Sequence, residues 1–185
     1  MNIFYLHSDP RICAEYHCDK HVVKMILEYA QLLSTAHRVL DGTMSVGLSK
    51  TGSGRRQTKW ILPDDRESIL YSATHINHPS AQWARQSNSN YIWLTELLEE
   101  LCCEYTYRYG KIHKVESSGL AMKLKYNVPK NILHGEFTDP TPAMPDDVKL
   151  SDSLSSYRNY YSINKAHLAS WKKREMPYWY KLNGE

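Results

Sequence analysis

CAEYHCDKHVVKMILEYAQ, residues 13–31, is the stretch on which the fold turns. It crowds Cys13, Cys18, His17, His21, Lys20, Lys24, Glu15, Asp19 and Glu28 into a pattern that is otherwise apolar and helical. Placed on a wheel at about 100° per residue, Cys13, His17, Lys20, His21, Lys24, Glu28, Gln31 and Thr35 share an arc of roughly 100°. Ile12, Tyr16, Val22, Val23, Met25, Ile26, Leu27 and Tyr29 fill the rest. A helix greasy nearly all round is central to a fold, because a surface helix keeps a broad polar face. A narrow polar seam on such a helix lines a cleft, since unpaired charges buried elsewhere would cost several kcal/mol each. The plainer alternative is a solvated stripe held by an i,i+4 pair of Lys24 and Glu28. Zinc is also weighed. Cys13, His17 and His21 would run along two helical turns, about 12 Å, too far for one tetrahedral ion with bonds near 2 Å. A zinc site would need a pair from here plus ligands elsewhere, and no metal or cofactor is assigned.

Working outward, Asp9 offers a cap, Pro10 suits a first turn and Asp41-Gly42 a stop, so one long first helix is expected from Pro10 or Arg11 to Leu40. Residues 43–65, TMSVGLSKTGSGRRQTKWILPDD, read as a loop rich in Gly, Ser and cations, and Lys50, Arg55, Arg56 and Lys59 suit phosphate contact. A short helix is expected from Asp65 to Ala73, then the turn THINHP, then a long helix from Pro79 to Tyr109 ending at Gly110. Residues 111–150 carry Pro129, Pro140, Pro142 and Pro145 and read as mostly irregular. SDSLSSYRNYYSINKAHLASWKKR regains helical period behind Ser151 or Asp152, and the aromatic tail EMPYWYKLNGE is expected to pack back on the body. No repeat and no useful period-2 run appear, so the expectation is a mainly α, compact single domain over residues 1–185 with loop-rich stretches at 43–65 and 111–150.

Composition narrows the classes. At 185 residues the chain suits one sizeable core. Fourteen Tyr and five Trp against two Phe favour aromatics with a polar tip, a composition that leans toward a binding surface. The net charge of +3 is compatible with a phosphate-bearing partner but is far from that of a DNA-coating protein. Cys102 and Cys103 are adjacent, a poor disulfide framework, and no leader or apolar window of about 18 residues is present. A soluble, cytoplasmic protein without a membrane partner is expected.

With those residues placed, DKHVVKMILEYAQLL, residues 19–33, resembles the first-helix motif of the pyrimidine-dimer DNA glycosylase family, which includes the phage endonuclease V-type repair enzymes. Asp19, Lys20, Lys24, Glu28 and Gln31 stand at matching spacing, and THINHPSAQW resembles that family's Asn-His-Pro turn through Asn77, His78 and Pro79. SYRNYYSINKAHLASW and MPYWY loosely resemble its closing helix and tail.

The resemblance implies a compact, mainly helical DNA repair enzyme, both hydrolase and lyase in character, acting as a monomer on double-stranded DNA that carries UV damage. It implies that the N-terminal α-amine attacks C1′, that a glutamate moves protons, and that the resulting imine permits β-elimination and strand cleavage without a metal. Glu28 is the matching glutamate, and a cleft would tune it for acid/base work. The amine belongs to Met1, or to Asn2 if the first residue is removed; Asn2 is not small, a departure from what removal favours. At ordinary values an α-amine is roughly a tenth to a sixth unprotonated at pH 7 and a lysine only about four parts in ten thousand, so a terminal amine starts hundreds-fold ahead. A lysine competes only where burial or a neighbouring cation strips its proton, and Lys20 and Lys24 share the arc. DNA contact is expected from His17, Lys20, His21, Lys24, Asn77, His78, Arg55, Arg56 and Arg85. Trp60, Trp83, Tyr91 and Trp93 read as core, while Tyr178, Trp179 and Tyr180 are either a wedge or a packed tail. The competing classes are a DNA-binding protein with the same groove and no chemistry, and an enzyme for another modified base or nucleotide.

Overall fold

The computed structural model describes residues 1–48 and 56–180. They are mainly helical, as expected: eight α-helices, two short 3₁₀ turns and one β-hairpin. The N-terminal residues run extended through the core, with Ile3, Phe4, Tyr5 and Leu6 all buried.

The expected single helix over residues 10–40 is two. Helix α1 is Pro10–Tyr16 and α2 is Asp19–Asp41, and the chain is extended at His17 and Cys18 between them. Asp9 caps α1 by accepting from the Arg11 and Ile12 amides. The break is held by groups distant in sequence. The Arg108 guanidinium donates to the carbonyls of Glu15 and His17, and the Cys18 amide donates to the Tyr161 hydroxyl. These partners satisfy main-chain groups that an unbroken helix would have paired internally.

Helix α2 packs against a ring of later elements, chiefly α5 (Asn88–Tyr109), with α4 (Pro79–Ala84), α6 (Lys114–Ser117) and α7 (Leu120–Tyr126) around it. It stops at Gly42, where a Cβ would lie 2.5 Å from the Arg38 carbonyl oxygen. The helix expected over 79–109 is also interrupted, because Ser87 caps α5 by accepting from the Asn90 amide. Its far end is as predicted: Gly110 takes the left-handed conformation at φ 65°. The short helix expected from Asp65 is only α3, Arg66–Ile69. Helices α6 and α7 lie inside the stretch expected to be irregular, and α8 (Ser153–Asn164) is capped by Asp152.

Residues 43–48 and 56–61, read as loop, pair as an antiparallel hairpin of β1 (Thr43–Leu48) and β2 (Arg56–Ile61) in which Met44 faces Trp60, Val46 faces Thr58 and Leu48 faces Arg56. The alternation of Met44, Val46 and Leu48 is a period-2 signal that the Gly/Ser-rich connection hid.

The tyrosines correct the compositional reading. Tyr29, Tyr91, Tyr157 and Tyr161 are among the largest fully buried side chains, and each hydroxyl is spent on an internal partner. Trp83 and Trp93 are core, as expected, whereas Trp60 is only half-buried on the hairpin. The tail folds back as expected: Tyr180 is buried and Trp179 packs edge-on against Tyr16, while Tyr178 is exposed. None of the helices is long and apolar enough to cross a membrane among the described residues.

Candidate active site

Helix α2 carries Glu28 on the side facing the start of the chain. Because Ile3 to Leu6 are locked in the core, Met1 is drawn against α2, and its α-amine lies 3.9 Å from Glu28 Oε2. The side chains of Met1 and Glu28 are only 6% and 14% exposed. Lys24 Nζ sits 3.1 Å from the other carboxylate oxygen. One carboxylate thus bridges two amines of different character: Lys24 is 68% exposed, and the terminal amine belongs to a residue shielded by its fold. Lys20 is exposed in the first turn of α2. Neither lysine has the burial that would make it compete as nucleophile.

The THINHP turn is brought to the same seam. The Thr74 amide donates to Thr35 Oγ1 on α2, and the Thr35 hydroxyl donates to the Thr74 carbonyl. His78 caps α4, its Nδ1 accepting from the Ser80 amide at 3.2 Å, which leaves the ring proton on Nε2. Burial holds the His78 imidazole below its ordinary range, and the positive charge of the Met1 amine pushes the same way. His78 is therefore neutral, near enough for the charges of the Met1 amine and Glu28 to act on it. Asn77 is exposed at the turn.

Beside Glu28 the protein opens into a cleft of about 550 Å³, walled by Lys24, Leu27, Gln31, Tyr71, His113 and neighbouring residues. Its lining is mostly apolar with Glu28 at one side, a combination that suits an unstacked base or a similar flat ring.

Several predicted contacts are elsewhere. His17 and His21 do not line a wet seam. Their placement on a wheel assumed an unbroken helix, and the break turns them inward, to 0% and 6% exposure. The Tyr29 hydroxyl donates to His17 Nε2 and the His17 Nδ1–H donates to the Cys13 carbonyl. The Tyr161 hydroxyl donates to His21 Nδ1, and the His21 ring stacks on Phe4 at 4.3 Å. Burial lowers His17 to about 4 and His21 to about 3, so both are neutral core histidines and not phosphate-binding cations. Arg85 is corrected as well: its guanidinium donates to the Ala81 and Ile76 carbonyls, pinning the turn that holds His78. Arg56 is exposed on the hairpin, and Arg55 lies outside the described residues. No group of three or more His, Cys, Asp or Glu side chains among the described residues is arranged to hold a metal ion.

Sequence reasoning missed the frame that steadies this site. Arg108, fully buried, pairs with Glu104 at 2.6 Å and with Asp19 at 3.0 Å, and Arg174 holds the second oxygen of Glu104 at 2.9 Å. The available signal was Glu104 and Arg108 four residues apart on the same helix. At the other end of α2, Arg66 binds Asp64, Asp41 and His37 Nδ1, and His37 Nε2–H donates to Tyr91. Both clusters fix α2 by its ends. Compared with known proteins, the chain matches no family model, no curated protein and no solved structure.

Proposed function

We propose that this protein is a DNA N-glycosylase with AP-lyase activity that removes UV-type pyrimidine dimers from duplex DNA. The observation that carries the reading is the shielded Met1 α-amine 3.9 Å from Glu28, with a mostly apolar cleft alongside. An amine paired with a carboxylate at ion-pair distance is what imine chemistry at a sugar carbon needs: a nucleophile and a group that takes its proton. The spacing is one that substrate binding tightens or a single water bridges.

In the proposed reaction the amine nitrogen bonds to C1′ of the damaged nucleotide while the N-glycosidic bond breaks, and the base leaves with the bonding electrons and a proton. Glu28 accepts the proton shed by the amine and passes it to the departing base. Its negative charge, close to the sugar, also favours the cationic transition state. The nitrogen lone pair then opens the sugar ring, O4′ taking a proton from water, to give the protonated imine, and removal of a C2′ proton expels the 3′ phosphate, cutting the strand. His78, neutral with its proton on Nε2, is a positioning donor at the same place. Lys24 keeps the second Glu28 oxygen engaged and so orients the first toward the amine. The protein acts as a monomer, with Lys20, Lys24 and Arg56 offering exposed cations to the backbone.

The test is strand cleavage of a duplex with one defined cyclobutane dimer, with and without borohydride, on protein whose first residue is fixed by mass spectrometry. A borohydride-trapped adduct on the Met1 amine, abolished in Glu28→Gln or after acetylation of that amine, is expected. Salt-sensitive DNA binding with neither cleavage nor adduct would overturn the catalytic reading.

A further inference from the structure

The hairpin is the feature that the proposed chemistry does not use. All six residues of β1 are exposed, with Met44 at 63%, Val46 at 57% and Leu48 at 70%. In the observed register their direct partners are Trp60, Thr58 and Arg56, and directly opposed residues share one face of a ribbon. Ser45 and Lys59 face the other way. Three large apolar side chains in a row on an exposed two-stranded sheet are costly unless something covers them. The charge around them says what. From Gly42 to Pro63 the sequence has four cations, at positions 50, 55, 56 and 59, and no Asp or Glu. That bias fits an anionic partner, and the phosphate backbone of DNA is the one that the proposed function supplies.

We infer that the hairpin is a DNA-binding ribbon that lies in the major groove beside the reaction site, its apolar face on the base edges and Arg56 on the backbone. The major groove, about 12 Å wide, admits a two-stranded ribbon, and thymine methyl groups there meet apolar side chains. The ribbon springs from the C-terminal end of α2, thirteen residues beyond Glu28, or about 20 Å along the helix axis. That reach corresponds to about six base pairs at 3.4 Å each. The inference rests on a DNA partner but not on glycosylase chemistry.

The experiment measures binding of the full chain to an undamaged 30-base-pair duplex over a salt series, with dimethyl sulfate footprinting of guanine N7 on the dimer-containing duplex. Arg56→Ala is expected to lower the slope of log affinity against log salt by about 0.9, and Lys59→Ala, on the opposite face, to lower it by less. Met44→Ser/Leu48→Ser is expected to lose the N7 protection within about six base pairs on one side of the lesion while keeping a borohydride adduct. Wild-type binding that all three variants leave unchanged would overturn the ribbon and spare the enzyme. Absence of DNA binding by the wild type would remove both. A self-associated wild type that Met44→Ser/Leu48→Ser disperses in sedimentation would instead assign the face to a second copy of the chain and overturn the proposal.

Discussion

Lowering the pH from 7 to 5.5 should strip this protein of a large part of its stability, and the amount follows from three histidines. His17, His21 and His37 are 0%, 6% and 1% exposed, and burial lowers them to about 4, about 3 and about 4. In the unfolded chain each returns to about 6.5. The direction follows from which state binds the proton. Well above pH 6.5 all three are neutral in both states and the effect fades. Below it the unfolded chain takes up protons that the folded chain refuses, so stability falls with pH until the folded values are reached. At pH 5.5 each histidine is about nine-tenths protonated when unfolded, giving close to three protons of difference and a slope of about 4 kcal/mol per pH unit. Integrated from pH 7 to 5.5 this is about 1.3 kcal/mol each, about 4 kcal/mol in all, against a typical total of about 5–15. The depressed carboxylates Asp19 and Asp41 titrate well below this window and do not blur it. Urea titrations at pH 7.0, 6.5, 6.0 and 5.5, followed by tryptophan fluorescence, would measure the slope, and His21→Gln should remove about a third of it. A loss under about 1 kcal/mol, with an unchanged denaturant slope, would refute the burial argument for these rings.

Arg108→Met leaves Glu104 buried with only Arg174 for company and frees the Glu15 and His17 carbonyls; a cost of about 3 kcal/mol is expected in urea unfolding, part of it recovered in the double variant with Glu104→Gln. Lys24→Ala removes a mostly exposed partner of Glu28 and should change stability by no more than about 0.5 kcal/mol, while lowering the rate of adduct formation in single-turnover trapping. Gly110→Ala places a side chain at φ 65° and should cost about 1–2 kcal/mol by thermal unfolding, with the trapped-adduct yield on dimer duplex intact.

What the sequence made legible was local. Asp9 with Pro10, Gly42, Gly110 and Asp152 mark real helix ends because capping is settled within a few residues. Glu28 was placed on the first helix from its spacing and beside a cleft from the narrow seam, while its pairing with the terminal amine came only from the family resemblance. The break at His17-Cys18 was not legible, since an arginine 91 residues on and a tyrosine 143 residues on impose it. With the break hidden, the wheel carried two core histidines onto the seam. The hairpin was lost for a different reason: glycine and serine between its strands have loop composition whatever they connect. Nothing local announces that Thr74 docks on Thr35 and so holds the THINHP turn against α2.

The clasp around the start of the chain also governs when the site comes into being. Leu6 is tied to Arg158, Tyr16 to Trp171, Cys18 to Tyr161 and Asp19 to Ser170, spans of about 140 to 155 residues. On a ribosome adding about 5–20 residues per second, the first residues therefore wait about 7–30 s for the partners that will seat them. During that interval Met1 and Glu28 have no fixed relation, and pairings of such sequence separation form slowly. The Met1–Glu28 geometry therefore appears only as residues 158–171 dock, late in folding.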